Sequence, residues 1–125
     1  MTEKPTRKLT KRSLPIEVRS AVKAGQEKKG EDIVVLDLRG LSSFTDFFII
    51  MTGHSTRQNV ALGDQIRVEL KKKNLLPLGV EKGAKADWFL MDYGFFIVHI
   101  FTPASREYYS LEKLWGDALR LSYHA

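Results

Sequence analysis

Two apolar runs within residues 87–101 form the clearest pattern of hydrophobic and polar positions in the chain, and they stand on either side of Tyr93 and Gly94. Runs of this kind around a short turn are typical of a β-hairpin. With Tyr93 and Gly94 as the two central turn residues, the predicted register places Trp88 opposite His99. Because both faces of this hairpin are apolar, the pattern predicts a strand pair that is covered on both sides.

The two faces of the predicted hairpin differ in their polar content, because successive side chains of a strand point to opposite sides. One face carries an acid, an imidazole and an indole among apolar side chains, in the order Trp88, Leu90, Asp92, Phe95, Ile97, His99 and Phe101. The other face is wholly apolar and consists of Phe89, Met91, Phe96, Val98 and Ile100. The polar members of the first face require an explanation, since strands buried on both sides are usually apolar throughout.

Two longer helices are predicted upstream of the hairpin. Ser13 is a candidate N-cap for a helix that begins near Pro15. Ser55 and Gln58 fit a capping box, in which the serine hydroxyl accepts a hydrogen bond from the backbone amide of Gln58. The helix that follows carries apolar residues at intervals of four, and three consecutive lysines followed by Asn74 predict its end.

Short apolar runs predict strands at residues 33–38 and 44–52, and a weaker edge strand at 75–80 contains proline and glycine. After the hairpin, two short helices are predicted around residues 104–108 and 111–115. This order of elements predicts an α+β fold in a single domain, with a mixed β-sheet of about five strands flanked by helices.

Composition divides the chain into a basic leader at residues 1–12 that we expect to be disordered, a folded domain at 13–116, and a C-terminal tail at 117–125. Residues 1–30 hold nine Lys/Arg and three Glu, a net charge of +6, whereas residues 31–125 carry a net charge of −1. Attraction to phosphate is therefore expected of the leader and not of the folded domain.

Several classes of protein are disfavoured by composition. The 125 residues include no cysteine, which excludes disulfides, thiolate zinc sites and cysteine nucleophiles. No apolar run approaches the roughly 18 to 20 residues of a membrane span, and no stretch near the N-terminus resembles a secretory signal. Glu3 and the scarcity of serine argue against an organellar targeting sequence.

No arrangement of residues for catalysis or metal binding stands out in the sequence. His54, His99 and His124 have no paired spacing, and neither a Gly-x-Ser-x-Gly elbow nor a Gly-rich phosphate loop occurs. Asp87 and Asp92 are separated by an odd number of residues, so on a regular strand they point to opposite faces and cannot share a proton or a metal. We therefore predict no catalytic residue, no metal and no cofactor.

A concentration of aromatic and polar side chains follows instead. Trp88 and His99 on the hairpin are joined by Arg106, Tyr109 and Trp115, and Trp, Tyr and Arg are the residue types enriched at protein interfaces. Packing beneath the C-terminal helices is the alternative explanation. Burial of a tryptophan stabilises by about 4 to 6 kcal/mol in a core or against a partner alike, so composition leaves both explanations open.

At these residues the chain resembles a known family, the ribosomal silencing factors, also called the Iojap-like family. The matching segments are residues 32–38 (DIVVLDL), 42–53 (SSFTDFFIIMTG), 55–58 (STRQ), 76–81 (LPLGVE), 86–88 (ADW), 92–94 (DYG), 98–101 (VHIF) and 106–115 (REYYSLEKLW). They follow in the family's order and spacing, and they cover nearly everything after Arg12.

The resemblance implies a fold similar to that of nucleotidyltransferases but without their catalytic motif, because Asp46 is followed by two phenylalanines and not by a second acid. It implies a factor that binds the large ribosomal subunit through the subunit's fourteenth protein. Such a factor blocks joining of the small subunit and represses translation when nutrients are limiting. Members of the family are similar in forming homodimers away from the ribosome.

The partner-binding residues that the resemblance implies lie on the polar and aromatic face of the hairpin. Trp88 and Leu90 supply an apolar anchor, Asp92 and His99 supply oriented hydrogen bonds, and Arg106 with Tyr109 supply the rim. The basic leader adds a weak accessory contact to RNA. Two other functions stay open at this point: an enzyme with nucleotidyltransferase ancestry, and an RNA-binding module that uses the leader.

Overall fold

A six-stranded mixed sheet forms the centre of the computed structural model, which describes residues 9–83 and 87–123. The elements in chain order are α1 (Ile16–Glu27), β1 (Glu31–Asp37), β2 (Phe47–Thr52), α2 (Thr56–Lys71), β3 (Gly79–Lys82), β4 (Trp88–Asp92), β5 (Phe96–Phe101), α3 (Pro103–Tyr109), α4 (Leu111–Leu114) and β6 (Leu119–Ser122). The strand order across the sheet is β3-β4-β5-β2-β1-β6. β2 and β5 are parallel, whereas the other neighbouring strands are antiparallel. The predicted α+β fold with one mixed sheet is confirmed.

Both faces of the sheet carry an apolar core. α1 and α2 pack on one face, against alternate side chains of the central strands. The opposite face, called the outer face below, is partly covered by the segment that contains α4 and Trp115. Every residue of β2 and β5 is buried, which explains why their sequences are apolar without alternation.

The hairpin of β4 and β5 is confirmed, but its predicted register is wrong by two residues. Trp88 pairs with Phe101 and Leu90 pairs with His99, so the two loop residues are Gly94 and its successor. Gly94 has φ +90, a left-handed conformation that favours glycine in tight hairpin loops. Because a shift of two residues is one full period of a strand, the side chains of β4 and β5 keep their predicted faces. The prediction for Phe95 is wrong, because this residue lies in the loop and packs with the core on the helical side of the sheet.

The predicted helix caps are partly confirmed. Ser55 Oγ accepts from the backbone N–H of Gln58 at 3.1 Å as expected, while Gln58 Oε1 accepts from the backbone N–H of His54 at 2.8 Å, one residue earlier than a standard capping box. The cap at Ser13 is wrong. Ser13 closes a turn of 3-10 helix that Thr10 caps, and α1 begins after Pro15 without a side-chain cap, since the proline already sets the backbone direction.

The C-terminal strand β6 was not predicted from the sequence. It pairs antiparallel with β1 over four residues and forms one edge of the sheet. Such a short strand has too little alternation to be recognised, and only the free edge of β1 gives it a partner. The division into leader, domain and tail stays a prediction, and residues 1–8 of the leader lie outside the described residues. Within the described ranges, no helix has the length and hydropathy of a membrane span.

Candidate functional site

The outer face of the sheet is open on the side of β3 and β4. The inward-facing residues of β4, Phe89 and Met91, are fully buried against the helices, whereas Trp88, Leu90 and Asp92 on the outer face are each half-buried. The alternation follows directly from the pleat of the strand. Three of the predicted binding residues therefore form a row along one strand whose outer side is partly accessible.

Trp88 is held in place by contacts with both neighbouring elements. Its indole Nε1–H donates a hydrogen bond to Nδ1 of His99 at 3.1 Å. This contact runs diagonally across the hairpin, because Trp88 itself pairs with Phe101. The indole also packs on the ring of Tyr109 from α3, with 4.4 Å between ring centroids. The indole is thus fixed by a polar contact on one strand and an aromatic contact on a helix.

His99 lies beneath this face and not on it. It is 3% exposed, and the ring of Phe48 stands edge-on to it with 4.4 Å between centroids. Burial lowers the pKa of His99 to about 3, so the imidazole is neutral at physiological pH. Since Nδ1 accepts from Trp88, the ring proton is on Nε2, which has no hydrogen-bond partner among the described residues. His99 therefore supports Trp88 from below.

Leu90 and Asp92 continue the row toward the hairpin loop. One carboxylate oxygen of Asp92 accepts from the backbone N–H of Gly94 at 2.8 Å, which leaves the second oxygen for another donor. Across the ladder, Leu90 pairs with Glu81 and Asp92 pairs with Gly79. A second acid therefore stands beside Leu90 on the same face, and it is exposed.

Glu81 was missed as a site residue by sequence reasoning. Glu81 is identified by the register between β3 and β4. The sequence does not reveal this register, because β3 is short and contains a glycine. Among the residues that the structure describes, no atom lies within 4 Å of the position that a Cβ on Gly79, the neighbour of Glu81 on the outer face, would occupy. The described residues therefore leave the space beside Asp92 uncovered.

Arg106 and Tyr109, the predicted rim, have different surroundings. The Arg106 guanidinium donates to Glu112 Oε1 at 2.8 Å and to Thr52 Oγ1 at 2.9 Å, and its side chain is 14% exposed. Burial alone raises the pKa of Glu112, but the hydrogen bonds and charges of Arg106 and Arg120 outweigh it and lower that pKa. The hydrogen bonds of Arg106 therefore connect α3 to the sheet. Tyr109, by contrast, is 41% exposed and lies at the surface beside Trp88.

Two carboxylates of the sheet, at Asp37 and Asp92, have structural partners. Asp37 forms a two-point contact with Arg39, with distances of 2.9 and 2.8 Å. Asp92 is engaged by the hairpin loop. Among the residues in the described ranges, no group of three or more His, Cys, Asp or Glu side chains could hold a metal ion. His124 lies outside those ranges.

The sequence of the whole chain agrees with a single family. A family model described as "Ribosomal silencing factor during starvation" matches residues 11–124. The chain belongs to this family. The match confirms the resemblance to the ribosomal silencing factors that the sequence segments indicated.

Individual relatives of this family support the assignment. The chain is similar to the ribosomal silencing factor RsfS of Haemophilus influenzae, with 49% identity over 88 residues that cover 70% of this chain and 86% of that one. It is also similar to the chloroplastic protein Iojap of Zea mays, with 37% identity over 99 residues, or 79% of this chain and 43% of the maize protein. A crystal structure of a Chromobacterium violaceum protein superimposes with a TM-score of 0.78 at 38% identity and covers 81% of this chain and 84% of that one.

Membership of the ribosomal silencing factor family implies a ribosomal partner and a regulatory role. On the outer face, the β4 row is half-buried, and Tyr109 and Glu81 are exposed. The name of the family does not say which residues make the contact, so that assignment depends on the geometry.

Proposed function

We propose that this protein binds the large ribosomal subunit through the open outer face and thereby blocks joining of the small subunit. The observation that carries the proposal is the half-exposed Trp88, which His99 and Tyr109 fix from two sides. The proposed partner is the fourteenth protein of the large subunit, which the family resemblance implies. The effect is repression of translation when nutrients are limiting.

Preorganisation of Trp88 favours a binding role. An aromatic anchor that is already fixed loses little side-chain entropy on association, and anchors of this type carry most of the free energy in many protein interfaces. Trp88 and Leu90 form the apolar centre of the proposed contact. Tyr109 extends it at the α3 side, and His99 acts through the orientation of Trp88.

The charge around this anchor favours a basic partner. Asp92 and the exposed Glu81 flank Leu90 on the outer face, and Asp92 keeps one carboxylate oxygen available. Acidic groups at the rim of an apolar contact attract a cationic protein surface and fix its register. They also disfavour direct contact with RNA phosphate at this face. A basic ribosomal protein therefore fits this face better than bare RNA does.

Sedimentation of purified ribosomal subunits tests the proposal. Addition of the protein is expected to lower the fraction of joined ribosomes, and the protein is expected to migrate with the large subunit. Leu90→Ala should weaken this effect, whereas Leu76→Ala, which removes a more exposed leucine packed near α2, should not. Unchanged subunit joining with wild-type protein would contradict the proposal.

We also propose that two copies associate through the same face in the absence of ribosomes, in the bacterial cytoplasm. A half-exposed apolar row beside Tyr109 is costly to leave in water, and a second copy can cover it. Sedimentation equilibrium should then give a dimer for the wild type and a larger monomer fraction for Leu90→Ala. A Leu90→Ala protein that dimerises as strongly as the wild type would place the dimer contact elsewhere.

A further inference from the structure

The helices on the inner face of the sheet concentrate positive charge. Residues 9–30 and 55–74, which contain α1, α2 and their flanking turns, are called the helical layer here. They hold eleven Lys/Arg and four Asp/Glu, a net charge of +7, and all eleven cations are exposed. The other described residues hold five Lys/Arg and ten Asp/Glu, a net charge of −5. The positive charge of the described residues is therefore concentrated in the helical layer.

This concentration of charge makes the helical layer a second candidate, beside the leader, for attraction to phosphate. When the net charge is counted separately for residues 1–30 and 31–125, α1 falls in the first part and α2 in the second. Their combined positive charge is then not apparent. Lys11 and Arg12 belong to an ordered turn, and α1 packs directly on α2. The positive charge is thus on a folded surface with a fixed shape.

The two helices pack on each other, and the start of α2 lies against the end of α1, so their cations belong to one connected surface. Gln58 Nε2 at the start of α2 donates to the backbone oxygen of Lys29 after the end of α1, at 3.2 Å. Lys71, Lys72 and Lys73 lie together at the end of α2, where Lys72 pairs with Glu69 at 3.0 Å. Lys11 lies at another part of the layer, with its amine 4.9 Å from the centre of the Tyr123 ring.

Helix termination accounts for only part of this charge. Lysines after α1 and in the last turn of α2 complement the helix dipoles. The helix dipoles do not explain the cations that lie before the helices or in their earlier parts. These cations are Lys11, Arg12, Arg19, Lys23 and Arg57. A rigid surface with exposed cations from two helices is suited to a polyanion with regularly spaced charges.

We propose that the helical layer binds the phosphate backbone of RNA, without sequence preference. The ligand is RNA because its phosphates match an extended array of lysines and arginines, whereas the outer face with Asp92 and Glu81 repels it. The protein then has two functional faces on opposite sides of one sheet, one for protein and one for RNA. This proposal does not depend on the proposed function of the outer face.

Fluorescence anisotropy with a labelled RNA duplex tests this proposal on the full chain. The wild type should bind with an affinity that falls steeply as salt is raised. Lys71→Gln/Lys73→Gln should lower the affinity about tenfold or more and reduce the salt dependence. The matched control, Lys113→Gln/Arg120→Gln, removes the same charge at α4 and on the outer face of β6, and it should bind like the wild type.

Several outcomes would overturn the proposal. Equal losses in the two double variants would show that only net charge matters. Loss of binding on deletion of residues 1–8, with normal binding by Lys71→Gln/Lys73→Gln, would assign the contact to the leader. Binding to anionic phospholipid vesicles but not to RNA would replace the ligand. Leu90→Ala should bind this RNA normally, so the result is independent of the subunit-joining assay.

Discussion

The indole N–H of Trp88 donates to Nδ1 of His99 over 3.1 Å, and this bond joins a half-exposed residue to one that is 3% exposed. Only the neutral imidazole can accept it, because both nitrogens of a protonated ring are donors. Burial of the imidazole beneath the outer face thus lowers the pKa of His99 and keeps the ring in the neutral form that accepts from Trp88.

Replacement of His99 tests whether this bond positions Trp88. His99→Leu removes the acceptor and should cost about 1 kcal/mol or more in binding to the large subunit. His99→Asn should retain more of that affinity, since its side-chain oxygen can accept in place of Nδ1. Trp88 emission, measured with Trp115→Phe as background, should shift to the red in the leucine variant and less in the asparagine variant.

A purely structural role for His99 gives a different result. The melting temperature would fall in both variants, but Trp88 emission in the folded state and affinity would change equally in the two. Binding should therefore be compared well below the melting temperature of each variant. Equal affinity of His99→Leu and wild type under these conditions would remove His99 from the binding mechanism.

The stability of the protein should depend on pH through His99. The pKa of its imidazole is about 3 in the folded state and 6.5 as the ordinary value, so between these limits the unfolded chain binds more protons. The free energy of unfolding should therefore fall as pH is lowered through this window, by up to about 1.4 kcal/mol per pH unit. Urea titrations at a series of pH values measure this slope, and His99→Asn should reduce it. An identical slope in that variant would contradict the assignment.

Glu81 should contribute to binding through charge. Glu81→Gln should weaken binding to the large subunit, and Glu81→Lys should weaken it further and lower the association rate at low salt. Neither change should alter the melting temperature by much, because the side chain is exposed. Glu27→Gln, an exposed acid of α1, is the matched control and should bind normally. Surface plasmon resonance at two salt concentrations distinguishes these variants.

We expect Arg106 to contribute more to the stability of the protein than to its contact with the large subunit. Arg106→Gln removes hydrogen bonds to Glu112 and Thr52 and should lower the free energy of unfolding by about 3 kcal/mol. Lys113 is exposed and follows Glu112 in the sequence, and Lys113→Gln should change the free energy of unfolding by less than about 0.5 kcal/mol. Chemical denaturation measures both. A stable Arg106→Gln protein that no longer binds the large subunit would instead make Arg106 a direct contact.

Gly63 is expected to set the distance between α2 and β4. A Cβ at Gly63 would lie 2.8 Å from the Phe89 ring, so Gly63→Ala should destabilise by about 1 to 3 kcal/mol despite the better helix propensity of alanine. Gly79→Ala meets no atom within 4 Å and serves as the control. Thermal unfolding of the two variants compares them. A Gly63→Ala protein as stable as the wild type would show that Phe89 can shift freely.

The sequence alone determined the features that depend on local order and on period. The alternation within β4 and β5 assigned the strand side chains to their faces, and a two-residue error in register left these assignments intact. It failed only for Phe95, which lies in the loop. Ser55 and Gln58 identified the start of α2, because a cap is formed by residues close in the chain. The ordered family segments identified the family.

The tertiary structure alone decided what depends on neighbours distant in the chain. His99 and Arg106 were expected at the surface, but helices and strands far apart in sequence bury them and give them partners. Glu81 became a site residue through its pairing with Leu90, and β6 formed because β1 had a free edge. The basic layer arose because α1 packs on α2. Burial and charge density depend on all the residues that are close in space. Many of these residues are distant in the sequence, so the two quantities can be read only from the folded structure.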